Sequence, residues 1–260
     1  MLQTPSSNMR QRIRTELVRI VRSYVVMASV LVTVVAVIAA VTYERNVITH
    51  HRQLVLTKLG TEVSNVVHEL ESLGTSPLLW TGLTDSMGRE TYLAPLLAQF
   101  NRASQRQFVV LDYKGRVFLA PDQKAANELA ASQPVADAVR RGHNGAGLLP
   151  SAAGTPDVVL VQRVMSPQTD TPVGFIVAKV DTARLISQLD LTSGSSFSFA
   201  IGNHPPMPPL KEGLVLSSDG VEQVRAGDFN LALRAWVFFP VYNAVILIGA
   251  VVLAAFLLGL

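Results

Sequence analysis

The sequence predicts an α+β domain held between two membrane-spanning helices, and three observations support this prediction. Residues 24–43 and 240–260 are long uncharged apolar runs near the two ends of the chain. Apolar residues from Leu56 to Leu73 recur at steps of three and four, which is typical of a long helix with one apolar face. Residues 108–122 alternate apolar and polar side chains around a polar turn, which is typical of a β-hairpin. We therefore expect a long N-terminal helix packed on an antiparallel sheet.

The two apolar runs set the predicted topology. The chain is 49% hydrophobic and only 16% charged, with a mean hydropathy of +0.33. Residues 24–43 match the roughly 20 residues needed to cross a bilayer and exceed the apolar core of a signal peptide, so we favour a retained anchor. The arm 1–23 contains five arginines and one glutamate, which places it in the cytoplasm. Residues between the spans are then extracytoplasmic, and 240–260 return the chain to the cytoplasm.

Composition and motifs argue against several classes of function. Beyond the arm, 17 basic residues stand against 18 acidic ones, so the net charge of +3 does not indicate nucleic-acid binding. The chain has no cysteine, which excludes disulfides and thiolate metal sites. It has no phosphate-binding loop and no HExxH or GxSxG motif, and His50 and His51 would point about 100° apart on a helix. We expect no catalysis, metal or cofactor in this region. Since no Lys or Arg follows the second span, we also expect the front part of a longer protein.

The elements follow from apolar periodicity and from the positions of glycine and proline. The predicted order is a helix over 44–76 that breaks at Gly74 and Pro77, a helix over 89–101, hairpin strands at 107–113 and 116–120, short helices ending in glycines within 122–147, strands at 157–166 and 172–180, a helix over 182–190 capped by Asp181, and strand-like segments at 195–202, 213–218 and 228–241, with turns at Gly220 and Gly227.

The apolar seam of the first long helix has two interpretations. Its steps form a seven-residue repeat over fewer than three heptads. The seam could pack on the helix's own domain, or it could form a parallel homodimer contact. Its residues are Leu56, Leu59, Val63, Val66, Leu70 and Leu73.

Four stretches between the spans resemble pieces of the Cache (PAS-like) sensor domains of bacterial transmembrane receptors. They are "FVVLDYKGRVFLAPD", "VADAVRRGHNGAG", "DVVLVQRVMS" and "PVGFIVAKVDTARLISQL". In order, they resemble the family's hairpin, its helix-to-glycine segment, its central strand, and its closing strand and helix. The resemblance covers residues 44–190. The later "SSFSFAIG" and "FNLALRAWVFFP" are similar to the closing strands of CHASE-type sensors, which makes 191–239 a membrane-proximal β extension or a small second lobe.

The resemblance implies a PAS-like antiparallel sheet with a small-molecule pocket on one face. It implies a two-pass receptor of the bacterial inner membrane whose middle region is periplasmic and which acts as a homodimer. A signal would pass through the second span to a cytoplasmic output, such as a diguanylate cyclase, a phosphodiesterase or a histidine kinase. The alternative is a non-sensory two-pass protein that scaffolds or assembles an envelope complex.

Five residues are candidate ligand contacts. Phe175, Lys179 and Asp181 share one face of the strand at 172–180 if its alternation is regular. Arg163 lies on the preceding strand, and Tyr113 lies in the hairpin turn. The cations would suit a small carboxylate. In the alternative interpretation, the charges are ordinary edge residues, Tyr113 is an exposed turn residue and Asp181 is a helix cap.

Overall fold

A computed structural model describes residues 6–85, 87–104, 106–151, 155–169, 171–189, 196–201, 215–240 and 249–250 of the 260-residue chain. The helices are α1 (Ser6–Gly74), α2 (Pro77–Thr84), a π-helical turn (Arg89–Leu93), α3 (Ala94–Ser104), α4 (Gln123–Ala130), α5 (Gln133–Arg141) and α6 (Thr182–Ser187). The strands are β1 (Phe108–Asp112), β2 (Val117–Leu119), β3 (Gly145–Leu149), β4 (Asp157–Met165), β5 (Pro172–Val180), β6 (Ser196–Ile201), β7 (Val215–Ala226) and β8 (Phe229–Pro240).

The chain divides into two compact units. One unit comprises Met1–Thr49, Gly213–Leu216 and Phe239–Leu260, and the other comprises His50–Glu212 and Ser217–Phe238. Within the described residues, only α1 is long and apolar enough to cross a membrane, judged by length and composition. It contains the predicted span 24–43. Of the predicted second span, 241–248 and 251–260 lie outside the described residues.

The larger unit is built on an antiparallel sheet of five strands in the order β2-β1-β5-β4-β3. Strands β4 and β5 lie at its centre and are nearly continuous apolar runs, because both of their faces are covered. The predicted α+β fold with a long N-terminal helix and an antiparallel sheet is confirmed.

The two faces of this sheet pack against different helices. On one face, here called the α4–α5 face, Val109, Val161 and Val177 form a cluster with Leu129 of α4 and Val135 of α5. On the opposite face, the α1 face, the end of α1 lies close to the strands. A β-carbon added at Gly74 would contact the side chains of Gln162 and Ile176 at 3.6 and 3.7 Å.

The apolar seam of α1 is buried within the single chain. Its six residues, Leu56, Leu59, Val63, Val66, Leu70 and Leu73, are at most 5% exposed. Packing of the helix on its own domain is thus enough to bury the seam, and the homodimer contact stays a prediction.

The hairpin of β1 and β2 has the predicted turn. The Asp112 carbonyl accepts the Gly115 N–H at 2.9 Å, and Gly115 has a φ of +80°, which favours glycine. Asp112 Oδ1 also accepts the backbone N–H groups of Lys114 and Arg116, each at 2.9 Å. The aspartate thus organises the turn with its side chain as well as its backbone.

Two predicted helices differ from the structure in how they begin or end. The helix expected over 89–101 starts as a π-helical turn, in which the Ala94 N–H bonds to the Arg89 carbonyl, and Pro95 at the second position of α3 has no N–H to donate. Short helices ending in glycines were expected after the hairpin. Only α5 does so, at Gly142. Helix α4 ends without a glycine, because the backbone of Ser132, the N-cap of α5, is extended.

The last described strands form a sheet of their own, in the order β6-β8-β7. The turn at Gly227 is confirmed, but the turn expected at Gly220 is wrong, since β7 continues through it to Ala226. Gly220 is instead a place of close approach. A β-carbon there would lie 2.7 Å from Nε of Arg52 on α1, and the Arg52 guanidinium donates to the Asp219 carbonyl.

Candidate ligand-binding cavity

A cavity of about 680 Å³ lies at one end of the α4–α5 face. Its walls come from α1, β1, α4, the end of β5 and α6, and its apolar part includes Val109, Leu129 and Leu185. The volume is typical of small-molecule sites, and about half of the lining residues are polar or charged. The charged lining residues are Lys58, Glu62, Arg106, Asp122, Glu128, Lys179, Asp181 and Arg184.

Arg106 is held by two glutamates of α1. Its guanidinium bonds to Glu62 Oε1 at 2.5 Å and to a carboxylate oxygen of Glu69, and its side chain is only 16% exposed. Burial alone would lower the pKa of Arg106, but the hydrogen bonds and charges of the two glutamates outweigh it and raise the pKa. The charge of Arg106 is therefore already neutralised by α1.

Lys179 is neutralised by a carboxylate beneath the cavity. Lys179 Nζ lies 3.2 Å from Oδ2 of Asp157, whose side chain is 5% exposed. Oδ1 of Asp157 accepts the backbone N–H of Thr182, the first residue of α6, at 3.3 Å. One buried carboxylate thus joins a cation of the cavity wall to the start of α6.

Two of the acidic lining residues are helix caps. Asp122 accepts the backbone N–H groups of Lys124 and Ala125 at the start of α4. Asp181 accepts the Arg184 N–H at 2.9 Å at the start of α6. Their carboxylates are engaged by the backbone and are poorly placed to hold a ligand cation.

Three charged side chains of the wall remain uncommitted. In the part of the chain that the structure describes, Lys58 of α1, Arg184 of α6 and Glu128 of α4 have no ion-pair partner and no side-chain hydrogen bond. The eight charged lining residues balance at four cations and four acids, so an anionic group would be bound by the uncommitted Lys58 and Arg184 and not by a net positive charge of the wall.

The register of the sheet separates the five predicted contact residues into two groups. Lys179 and Asp181 line the cavity. Phe175 of β5 pairs with Leu111 of β1 on one side and with Arg163 of β4 on the other, so Phe175 and Arg163 lie away from the Lys179 end of β5. Phe175 lies about 13 Å from Lys179 along the strand.

The second group has structural surroundings. Phe175 is buried in the cluster beneath α4 and α5, and Tyr113 is exposed in the hairpin turn that follows β1. The Arg163 N–H donates to Oδ1 of Asn144. None of these three residues is among those that line the cavity.

Sequence reasoning missed Lys58 and Arg184. Both were assigned to helices, but their sequence neighbourhoods carry no motif. The spacing of Lys58 and Glu62 by four residues does place them on one side of α1, and Arg184 lies in the first turn after the predicted cap Asp181. Only the tertiary structure brings them to one cavity.

Helix α6 lies between the cavity and a small second void. Arg184 and Gln188 face the cavity, while Ile186 lines a small void whose other wall includes Val55 of α1 and Phe199 of β6. Lys58 and Leu185 border both spaces. A molecule bound in the cavity would therefore lie beside both α1, at Lys58, and α6, at Arg184.

No family model matches the sequence, and no curated protein matches it. Solved structures do resemble it. The sensory domain of the Campylobacter jejuni chemoreceptor Tlp3 (CcmL) matches with a TM-score of 0.50 at 11% identity, over 78% of this chain and 96% of that one. Over that length the chain shares its fold with this sensory domain, which agrees with the sensor-domain fold that the sequence resemblance implies.

Two other sensor domains match with lower scores. The V. cholerae histidine kinase DctB sensor domain has a TM-score of 0.48 at 13% identity, over 76% of this chain and 98% of that one. The E. coli DcuS sensor domain has a TM-score of 0.40 at 13% identity, over 54% of this chain and 97% of that one.

Proposed function

We propose that this chain is the small-molecule-sensing region of a two-pass bacterial membrane receptor, with its sensor domain in the periplasm. The observation that carries the proposal is the 680 Å³ cavity, whose wall holds two uncommitted cations, Lys58 and Arg184. The sensory-domain fold supports the proposal independently of the charges.

The proposed ligand is a small carboxylate. A carboxylate would accept hydrogen bonds from Lys58 and from the planar guanidinium of Arg184, which can bind two oxygens at once. The apolar wall around Val109 and Leu129 would accommodate a short aliphatic part of the ligand. Glu128 offers a partner for an amino group, so an amino acid is also compatible with the site.

The position of the cations suggests how binding would be transmitted. Lys58 lies on α1, which also contains the predicted membrane span, and Arg184 lies on α6. A ligand that draws these two side chains together favours one arrangement of α1 and α6 over others. It shifts the receptor only as far as its affinity differs between the arrangements. Relay through the second span to a cyclase, phosphodiesterase or kinase output, and a homodimeric receptor, are further parts of the proposal that come from the family resemblance.

A thermal-shift experiment on the 260-residue chain in detergent micelles tests this function. Succinate and L-valine are compared with succinamide, a neutral analogue of succinate. A ligand at 100 times its Kd stabilises the folded state by about 2.7 kcal/mol, since it binds only that state. For a domain of this size, that raises the unfolding temperature by roughly 5–10 °C.

The charge of the ligand decides the result. We expect stabilisation by at least one of the two carboxylates and none by succinamide. If neither carboxylate raises the unfolding temperature, the proposed carboxylate sensing is wrong and the scaffold alternative gains support.

A further inference from the structure

We propose that Asp157 is a positioning residue that withholds Lys179 from anions in the cavity and so sets their affinity and selectivity. This inference rests on the proposed function, because it concerns an anion bound in the same cavity. Asp157 itself is not among the residues that line the cavity, and it acts through Lys179.

The geometry places Asp157 and Lys179 on the same face of the sheet. Lys179 of β5 pairs with Val159 of β4, and Asp157 lies two residues before Val159, so the two charged residues are diagonal neighbours. Their side chains differ in exposure, at 5% for Asp157 and 46% for Lys179. The carboxylate is buried beneath the strand ends, while the amine reaches the cavity.

The competition follows from this difference in exposure. A buried carboxylate is costly unless a cation and hydrogen bonds compensate it, and Asp157 has Lys179 Nζ at 3.2 Å and the Thr182 N–H at 3.3 Å. An anion that took Lys179 for itself would leave Asp157 buried without its cation. Anions are therefore held mainly by Lys58 and Arg184, and Lys179 contributes little while Asp157 is charged.

The same carboxylate anchors α6. Beside the bond from the Thr182 N–H to Asp157, the Thr182 hydroxyl donates to the Pro156 carbonyl at 2.6 Å. An asparagine at position 157 keeps an oxygen that can accept the Thr182 N–H and removes only the negative charge. The substitution Asp157→Asn thus separates the electrostatic role from the anchoring role.

The test measures succinate binding by titration calorimetry to the full chain in detergent micelles, for wild type, D157N and the double variant D157N/K179Q. We expect D157N to bind succinate about tenfold or more tightly than wild type, because Lys179 becomes available. The double variant should return to the wild-type affinity or below. Succinamide should bind no better to D157N than to wild type. A change in the shape of the cavity alone would raise the affinity for succinamide as well.

A second variant guards against misfolding of D157N. Lys179→Arg keeps the ion pair with Asp157 and leaves further N–H groups of the guanidinium to face the cavity. We expect K179R to bind succinate several-fold more tightly than wild type, with an unchanged unfolding temperature.

The outcomes are distinguishable. The inference is overturned if neither D157N nor K179R gains affinity for succinate, if D157N/K179Q binds as tightly as D157N, or if succinamide gains equally. In each of those cases, binding of succinate or L-valine to wild type would leave the proposed function standing. If no carboxylate binds to any of the proteins, the proposed function itself has failed.

Discussion

The two faces of the five-stranded sheet are built from the same strands but are used differently. On the α1 face, Phe108, Leu160 and Ile176 are fully buried, and the apolar seam of α1 is buried as well. On the α4–α5 face, short helices cover the Phe175 end, and the Lys179 end opens into the cavity. A long helix can cover a whole face, whereas two helices of eight and nine residues cannot. The first face therefore supplies stability, and the second has room for a ligand.

The largest expected effect tests the closed face. Leu70→Ala removes a fully buried side chain from the seam of α1, and it should lower the free energy of unfolding by about 3 kcal/mol. Leu54→Ala changes a residue of the same helix that is 40% exposed, and it should cost less than about 1 kcal/mol. Chemical denaturation measures both. Equal losses would mean that the seam is not part of this domain's core and would favour the homodimer contact.

The next effect tests the ion pairs that Arg106, just before β1, forms with two glutamates of α1. Arg106→Met leaves Glu62 and Glu69 facing each other without their shared cation, and it should cost about 2 kcal/mol. Arg140→Met is the matched control, because Arg140 is 76% exposed and 3.5 Å from Asp137. It should change stability by less than about 0.5 kcal/mol. A loss from Arg106→Met as small as the control's would show that the Arg106 cluster does not hold α1 in place.

The smallest effect concerns the hairpin turn, which belongs to neither packed face. Burial would raise the pKa of Asp112, but hydrogen bonds from the Arg116 backbone and side chain and from the Lys114 N–H outweigh it and lower the pKa below 3.8. The charged form therefore adds stability above this ordinary value and loses it as pH falls through the lowered folded-state value.

Asp112→Asn should accordingly cost about 0.5–1 kcal/mol at pH 7. The difference from wild type should disappear in acid, once Asp112 itself is protonated. Urea unfolding at a series of pH values measures it, with Asp137→Asn as a control on an exposed pair. A difference that stays constant down to the most acidic folded condition would contradict the charged role of Asp112.

Local patterns in the sequence predicted most elements of the sheet. The Asp112 turn, the two central strands and the Asp181 cap all depend on neighbouring residues, and each was found where it was expected. The course of β7 through Gly220 was not predictable from local sequence. That glycine lies in close contact with the side chain of Arg52, which is distant in sequence.

The cavity was predictable only in part. Lys179 and Asp181 could be anticipated because they lie close together in sequence, at the end of one predicted strand and at the start of the helix that follows it. Tyr113 and Arg163 were grouped with them, but antiparallel register places these residues toward the opposite end of the sheet. Lys58 enters the cavity from α1, and no local pattern relates a residue of the first long helix to the end of β5.

The open end of the α4–α5 face is proposed to bind carboxylates through Lys58 and Arg184. The most direct test is the affinity of the full chain for succinate and L-valine after Lys58→Gln or Arg184→Gln, with Glu128→Gln as a charge change of opposite sign on the same wall. Each cation variant should weaken binding about tenfold or more, and Glu128→Gln should not weaken binding of succinate. Undiminished affinity in both cation variants would mean that Lys58 and Arg184 do not bind the carboxylate.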